Sequence, residues 1–183
     1  VWDSGLVGLG GAGFPTHVKL NVPEGKTVDT LIVNVAECEP YLTADNREAL
    51  ENSASVLDGV FLVMKMLKLS RGIIAVESNK PEVIQQFRSM LASDQRNSSH
   101  QVGVLPLRAA YPQGAEKVLI KSCTDRTVPM GKLPADVGCI VMNVTSIAFL
   151  ADYMKTGIPL VKKRLTIDGS AVKNCENVIV PIG

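Results

Sequence analysis

Three short runs of aliphatic, largely β-branched residues set the frame for this chain: 30–35 (TLIVNV), 73–76 (IIAV) and 139–142 (CIVM). None of them alternates apolar with polar positions, so each suits a strand covered on both faces, as in a parallel sheet. The stretches between them carry helical spacing. Leu50, Ala54, Leu57, Phe61, Met64 and Leu67 recur at three- and four-residue intervals, which predicts one long amphipathic helix over 44–68. Asn79 and Pro81 are helix-start signals ahead of Val83, Ile84, Phe87, Met90 and Leu91. Residues 94–101 read as an exposed polar loop, 102–107 as a further strand, and 114–123 and 145–154 as helices. Strand and helix alternating in this way predict an α/β fold, a mostly parallel sheet with helices on both faces. The pattern changes at 157–159 (GIP). Strand-like runs at 165–167 and 177–182 flank an Asp168-Gly169 turn signal, predicting the first hairpin of a second, truncated β module. The expected division is 1–158 for the α/β domain and 159–183 for the hairpin.

A chain of 183 residues has room for one such domain and part of another. With 46% hydrophobic but only 4% aromatic residues, its core must be aliphatic. Nineteen basic against 18 acidic residues, with so few rings, exclude the basic groove or stacking platform that nucleic acid needs. No apolar run approaches the roughly 18 residues of a membrane span, and no signal peptide is visible, so a cytoplasmic protein is expected. Cys38, Cys123, Cys139 and Cys175 form no CxxC, and His17 and His100 are the only histidines. No zinc or iron–sulfur site is therefore expected within these residues. The chain begins at Val1 and stops at Gly183 after a strand-like run, and so reads as a piece of a longer protein whose flanks can carry further cofactors.

Five of the 15 glycines fall within the first 13 residues, in and just before the run 8–16 (GLGGAGFPT). Glycines let backbone N–H groups approach an anion, and a following helix N-terminus adds partial positive charge. Gly8, Gly10 and Gly13 match a dinucleotide-binding GxGxxG. That fingerprint must follow a strand, though, and residues 1–7 make a poor one; no acidic residue near position 33 offers a ribose partner. A second cluster, 34–41 (NVAECEPY), puts Asn34, Glu37 and Glu39 at the carboxyl end of the first strand, where open α/β sheets bind ligands. Asn143 and Glu77 end two other strands in the same way. Cys38 lies between two carboxylates, a poor setting for a thiolate, and reads as a small packing residue. A third cluster, 111–116 (YPQGAE), is a turn feeding a helix.

Taken together, the run 8–16 with Lys19, the NVAECEPY and YPQGAE segments, 133–138 (LPADVG), Asn143 and the closing 180–183 (VPIG) resemble a known family across nearly the whole chain. They are similar to the flavin-binding fold of the NADH-oxidising subunit of respiratory complex I, and closer still to the RnfC family of the Rnf ferredoxin:NAD oxidoreductases. The resemblance implies a noncovalent FMN that exchanges hydride with NAD(H) and relays electrons to iron–sulfur centres, 4Fe-4S clusters expected only in the full-length protein. It places Gly8, Gly10, Gly11, Ala12, Gly13, Lys19, Asn34 and Asn143 around the FMN. Glu37 and Glu39 would line the flavin and nicotinamide pocket, with Tyr111, Gly114 and Glu116 on the opposite wall. No residue is assigned as a catalytic acid or metal ligand. Implied partners are other subunits of an electron-transfer complex or a redox protein, with the chain cytoplasmic or peripheral on the cytoplasmic face of a membrane. The tail resembles the start of the family's ubiquitin-like β-grasp (SLBB) module. Two positions depart from the complex I pattern: Leu9 stands where that family has Arg, and Ala115 where it has the first of two glutamates. The alternative is a degenerate docking or scaffold module, for example one feeding a proline or cobalamin reductase, with weak or no flavin binding.

Overall fold

In the computed structural model, which describes residues 1–37, 39–99 and 101–183, the aliphatic runs become strands. They are β1 (Thr30–Val35), β2 (Arg71–Glu77), β3 (Val102–Leu107) and β4 (Cys139–Asn143). All pair in parallel in the order β3-β2-β1-β4. Alternate residues of each strand feed two separate cores. Leu31, Val33, Val35, Ile74, Val76, Ile140 and Met142 join one, Ile32, Ile73, Ala75, Cys139 and Val141 the other. This double burial is why the runs show no polar alternation.

The first face is covered by α2 (Ala44–Glu51), α3 (Ser53–Leu67), α4 (Pro81–Ser93) and α6 (Val144–Thr156), the second by α5 (Glu116–Thr124). The single-turn α1 (Thr16–Lys19) precedes β1. Pro81 takes the first turn of α4, where its missing N–H costs nothing, and Val83, Ile84, Phe87 and Leu91 form its buried face. Helices α3 and α6 meet at Gly59. A Cβ there would stand 2.1 Å from the Ile147 carbonyl oxygen, so only glycine allows the approach.

The long helix expected over 44–68 is two helices. Asn52 interrupts it at φ −115°, ψ 27°, and its side-chain amide donates to Glu48 Oε1 at 2.8 Å. Gln86 of α4 donates to the Leu50 carbonyl and the Ser53 hydroxyl beside the break. Local polar bonds at Asn52 thus replace a turn that apolar spacing alone carries straight through. Part of the expected polar loop is also buried. Asn97, 4% exposed, exchanges hydrogen bonds with both backbone groups of Val102 and so fixes the start of β3. His100 lies outside the described residues.

The tail forms an antiparallel hairpin, β5 (Lys162–Ile167) and β6 (Glu176–Pro181). It rests against the α/β domain. The Arg164 guanidinium reaches Glu48 at 3.0 Å and Glu51 at 2.9 Å, and Asn177 and Thr166 bond to Thr43.

Candidate functional site

The chain runs outward from β1 to β2 and β3, then returns to the other side of β1 as β4, so strand order reverses between β1 and β4. Such a switch point opens a crevice at the carboxyl ends of the strands. A cleft of about 630 Å³ lies there, within the usual range of ligand sites. Asn34 and Asn143, register partners on β1 and β4, stand side by side at its floor.

Each asparagine is locked by its neighbours. The Asn34 carbonyl oxygen accepts from the Ala36 N–H, while its amide donates to the Gly114 carbonyl at 2.9 Å and ties β1 to the 111–116 segment. The Asn143 oxygen caps α6 by accepting from the N–H groups of Thr145 and Ser146, and its amide donates to Asp45 at 2.6 Å.

The glycine run forms a closed loop over this floor. Gly8 N–H donates to the Phe14 carbonyl, Gly13 N–H to the Gly8 carbonyl, and Leu9 N–H to the Ser146 hydroxyl. Gly11 and Gly13 hold φ of +116° and +61°, conformations that favour glycine. Gly10 packs on Asn143, whose amide nitrogen would be 3.1 Å from an added Cβ. Among the described residues, the N–H groups of Gly10, Gly11 and Ala12 have no acceptor in the chain. Three successive donors thus remain at the loop apex, a nest suited to an anion. The helix expected to add its dipole is only the four-residue α1, too short to contribute much.

Of the residues expected at the site, Gly8, Gly10, Gly11, Ala12, Lys19, Asn34, Glu37, Glu39, Tyr111, Gly114, Glu116 and Asn143 all line this one cleft. Gly13 is not among the lining residues and acts on the loop through its positive φ and its bond to Gly8. Cys38 lies outside the described residues. Glu77 is buried near Lys80, 3.4 Å away, and is not among the lining residues.

Three of the expected charged residues, Lys19, Glu116 and Glu37, are already engaged. The Lys19 ammonium spans the cleft to Glu116 Oε1 at 2.8 Å and to the Val141 carbonyl at 3.1 Å. The Glu37 carboxylate accepts from the N–H groups of Asp45 and Asn46 and pairs with Lys80 at 2.9 Å, the pair being nearly buried. Glu37 therefore clamps the start of α2, and its replacement by alanine removes structure as well as a lining group. Glu39 remains exposed at the mouth.

Sequence reading missed Asp45. Its carboxylate faces the cleft and accepts from the Asn143 amide and, at 2.9 Å, from the Thr145 hydroxyl. Burial first, then the adjacent Glu37, push its pKa up to about 6, against the pull of these two hydrogen bonds and of Lys80. An Asp in a helical first turn is ordinary in sequence, so nothing flagged it. The hairpin residues Arg164 and Thr166, also lining the cleft, were missed because the tail reads as a separate module.

Residues 1–152 match the family model of the Nuo51 FMN-binding domain. The chain belongs to this family. It is 46% identical, over 99% of its length, to a subunit of the proton-translocating ferredoxin:NAD(+) oxidoreductase complex of Clostridium ljungdahlii. It is equally similar, over its full length, to the equivalently named subunit of the Na(+)-translocating ferredoxin:NAD(+) oxidoreductase complex of Acetobacterium woodii. The chain spans only 38% and 40% of these relatives. Among solved structures, a chain of an NAD+-reducing NiFe-hydrogenase in the H2-reduced state matches 99% of this chain, and 36% of its own, at TM-score 0.85 and 21% identity. That likeness shows the fold: a parallel sheet with helices, followed by a small antiparallel hairpin.

Proposed function

We propose that this chain is the FMN-binding domain of an NADH-linked oxidoreductase subunit that passes electrons to iron–sulfur centres outside these residues. The observation that carries the reading is the nest at Gly10, Gly11 and Ala12, three unengaged N–H donors at a switch-point cleft, in a chain of an FMN-binding family. A dianionic phosphate fits this donor set, as it has room to approach only where side chains are absent. FMN, when bound, accepts hydride from NADH and releases electrons singly, so the protein supplies position rather than a general acid. The nest holds the phosphate, and Lys19 is the nearby cation that can join it by leaving Glu116. Asn34 and Asn143, fixed by their own hydrogen bonds, present a rigid polar floor. Glu39 and Tyr111 stand at the open side, where NADH enters.

Residues 1–158 then form the flavin domain, and the β5–β6 hairpin opens a β-grasp module. Partners are the other subunits of an electron-transfer complex. No helix among the described residues is long and apolar enough to cross a membrane, and the proposed location is cytoplasmic or peripheral on the cytoplasmic membrane face. The second reading, a docking module without cofactor, draws on the Lys19–Glu116 pair, which occupies the cation a phosphate would use. Anaerobic mixing of the FMN-loaded protein with NADH separates them. Bleaching of the flavin absorbance is expected; an FMN-loaded protein that stays oxidised in excess NADH contradicts the oxidoreductase reading.

A further inference from the structure

The acids of the cleft differ in how they are balanced. Glu37 is paired with Lys80 and stays so; Glu116, whose Lys19 partner can leave for a phosphate, has a side chain 39% exposed and so screened by solvent, and Glu39 is exposed at the mouth. Asp45 is sheltered and faces the cleft, and among the described residues no cation touches it; its partners are the neutral Asn143 and Thr145. Around it, the 37–43 segment brings Glu37, whose charge opposes ionisation. Lys80, the residue before α4, is already bound to Glu37, and α6 places only the uncharged Thr145 against Asp45, its Asp152 and Lys155 bonding instead with Ser55 and Asp58. The hairpin's Arg164 is held by Glu48 and Glu51, and Lys163 beside it on β5 borders the cleft without an ion pair among the described residues. A carboxylate so placed changes protonation state at about pH 6, is largely ionised at neutral pH, and is shifted toward the protonated state by negative charge arriving in the cleft.

We propose that Asp45 is the cleft's proton-holding residue: it takes a proton from solvent when electrons are added to a flavin bound there and returns it when they leave. The inference rests on the flavin reading above and deepens it. Hydride transfer from NADH would carry two electrons and one proton to a bound flavin, leave NAD+, and make the flavin more negative by one charge. A solvent proton then binds one Asp45 carboxylate oxygen, and it dissociates when the electrons depart. The hydride itself would exchange a C–H bond of NADH for an N–H bond on the flavin, and that second proton would also leave to solvent when the two electrons depart. The step offsets the negative charge added to the cleft with a positive one, which would ease reduction of the flavin in it.

The test is the midpoint potential of bound FMN, measured spectroelectrochemically from about pH 5 to about pH 8. In the wild type, Asp45 adds up to one proton per two electrons from about pH 6 up to the higher pKa it takes once the flavin is reduced, a slope contribution of up to about 30 mV per pH unit in that window. Asp45→Asn, nearly isosteric, is expected to bind FMN and lose this contribution. Thr145→Val removes a donor to the ionised carboxylate, so the break in slope moves to higher pH; this arm stands even where Asp45→Asn fails to fold. A wild type that binds FMN with the same slope as Asp45→Asn, or a break unmoved by Thr145→Val, overturns the inference alone. A folded wild type that takes up no FMN overturns the flavin reading and the inference with it.

Discussion

The Asn143 side chain caps α6 through its oxygen and holds Asp45 through its amide, so one residue joins helix stability to the electrostatics of the cleft. Asn143→Ala is expected to lower stability by about 1 kcal/mol, the usual worth of an N-cap, and to weaken FMN binding as well; denaturant unfolding and flavin titration check the two effects. Gly10→Val presses a side chain onto Asn143 and into the nest. Its expected signature is FMN affinity reduced at least about tenfold, about 1.4 kcal/mol, in a protein that remains folded by circular dichroism. Asp45 also has a pH signature. Its folded pKa, about 6, lies above the ordinary carboxylate value, so the folded chain holds the proton more tightly than the unfolded one. The stability this contributes is fully present below the ordinary value and is lost as pH rises through about 6. Asp29, Asp58 and Asp94 oppose it, since hydrogen bonds from Arg126, Lys155 and Arg96 respectively hold their pKa values low; their contribution is lost as pH falls instead. Comparison with Asp45→Asn isolates the one group. Between about pH 4 and about pH 7 the variant is expected to gain on the wild type by about 2–3 kcal/mol, and parallel stability–pH curves contradict this.

At the scale of elements, the contact of α3 with α6 hangs on Gly59. Gly59→Ala forces a Cβ into the Ile147 backbone, and the expected cost is about 3 kcal/mol, the upper end for overpacking, read from the urea midpoint. The strands and most helices were legible in the sequence because their cause is local: unbroken β-branched runs for β1 and β4, a 3.6-residue stripe for α4. The break at Asn52 was not. It depends on Gln86, 34 positions away, reaching back to Leu50 and Ser53. The site divides in the same way. Gly8 to Ala12 were visible as a glycine-rich run, and Asn34 and Asn143 as polar residues ending aliphatic strands. The engagement of Lys19 by Glu116, and the placement of Asp45 beside Asn143, join residues nearly a hundred positions apart and leave no spacing to read.

Across the whole molecule, the hairpin and the α/β domain are joined through Arg164, whose side chain is 10% exposed against 8% for Glu48. Arg164→Met strands Glu48 with only Asn52, and a cost of about 3 kcal/mol follows from breaking a buried pair on one side. Faster proteolysis confined to residues 160–183 is the expected readout, because the α/β sheet keeps its own core. Since β5 also borders the cleft, bound FMN is expected to slow that cleavage in the wild type. The central claim is that the crevice between β1 and β4 holds FMN in its glycine nest, and equilibrium titration of FMN fluorescence tests it most directly. Saturable quenching at one flavin per chain, lost in Gly10→Val, is the result predicted; a folded wild-type protein that leaves FMN fluorescence unchanged contradicts it.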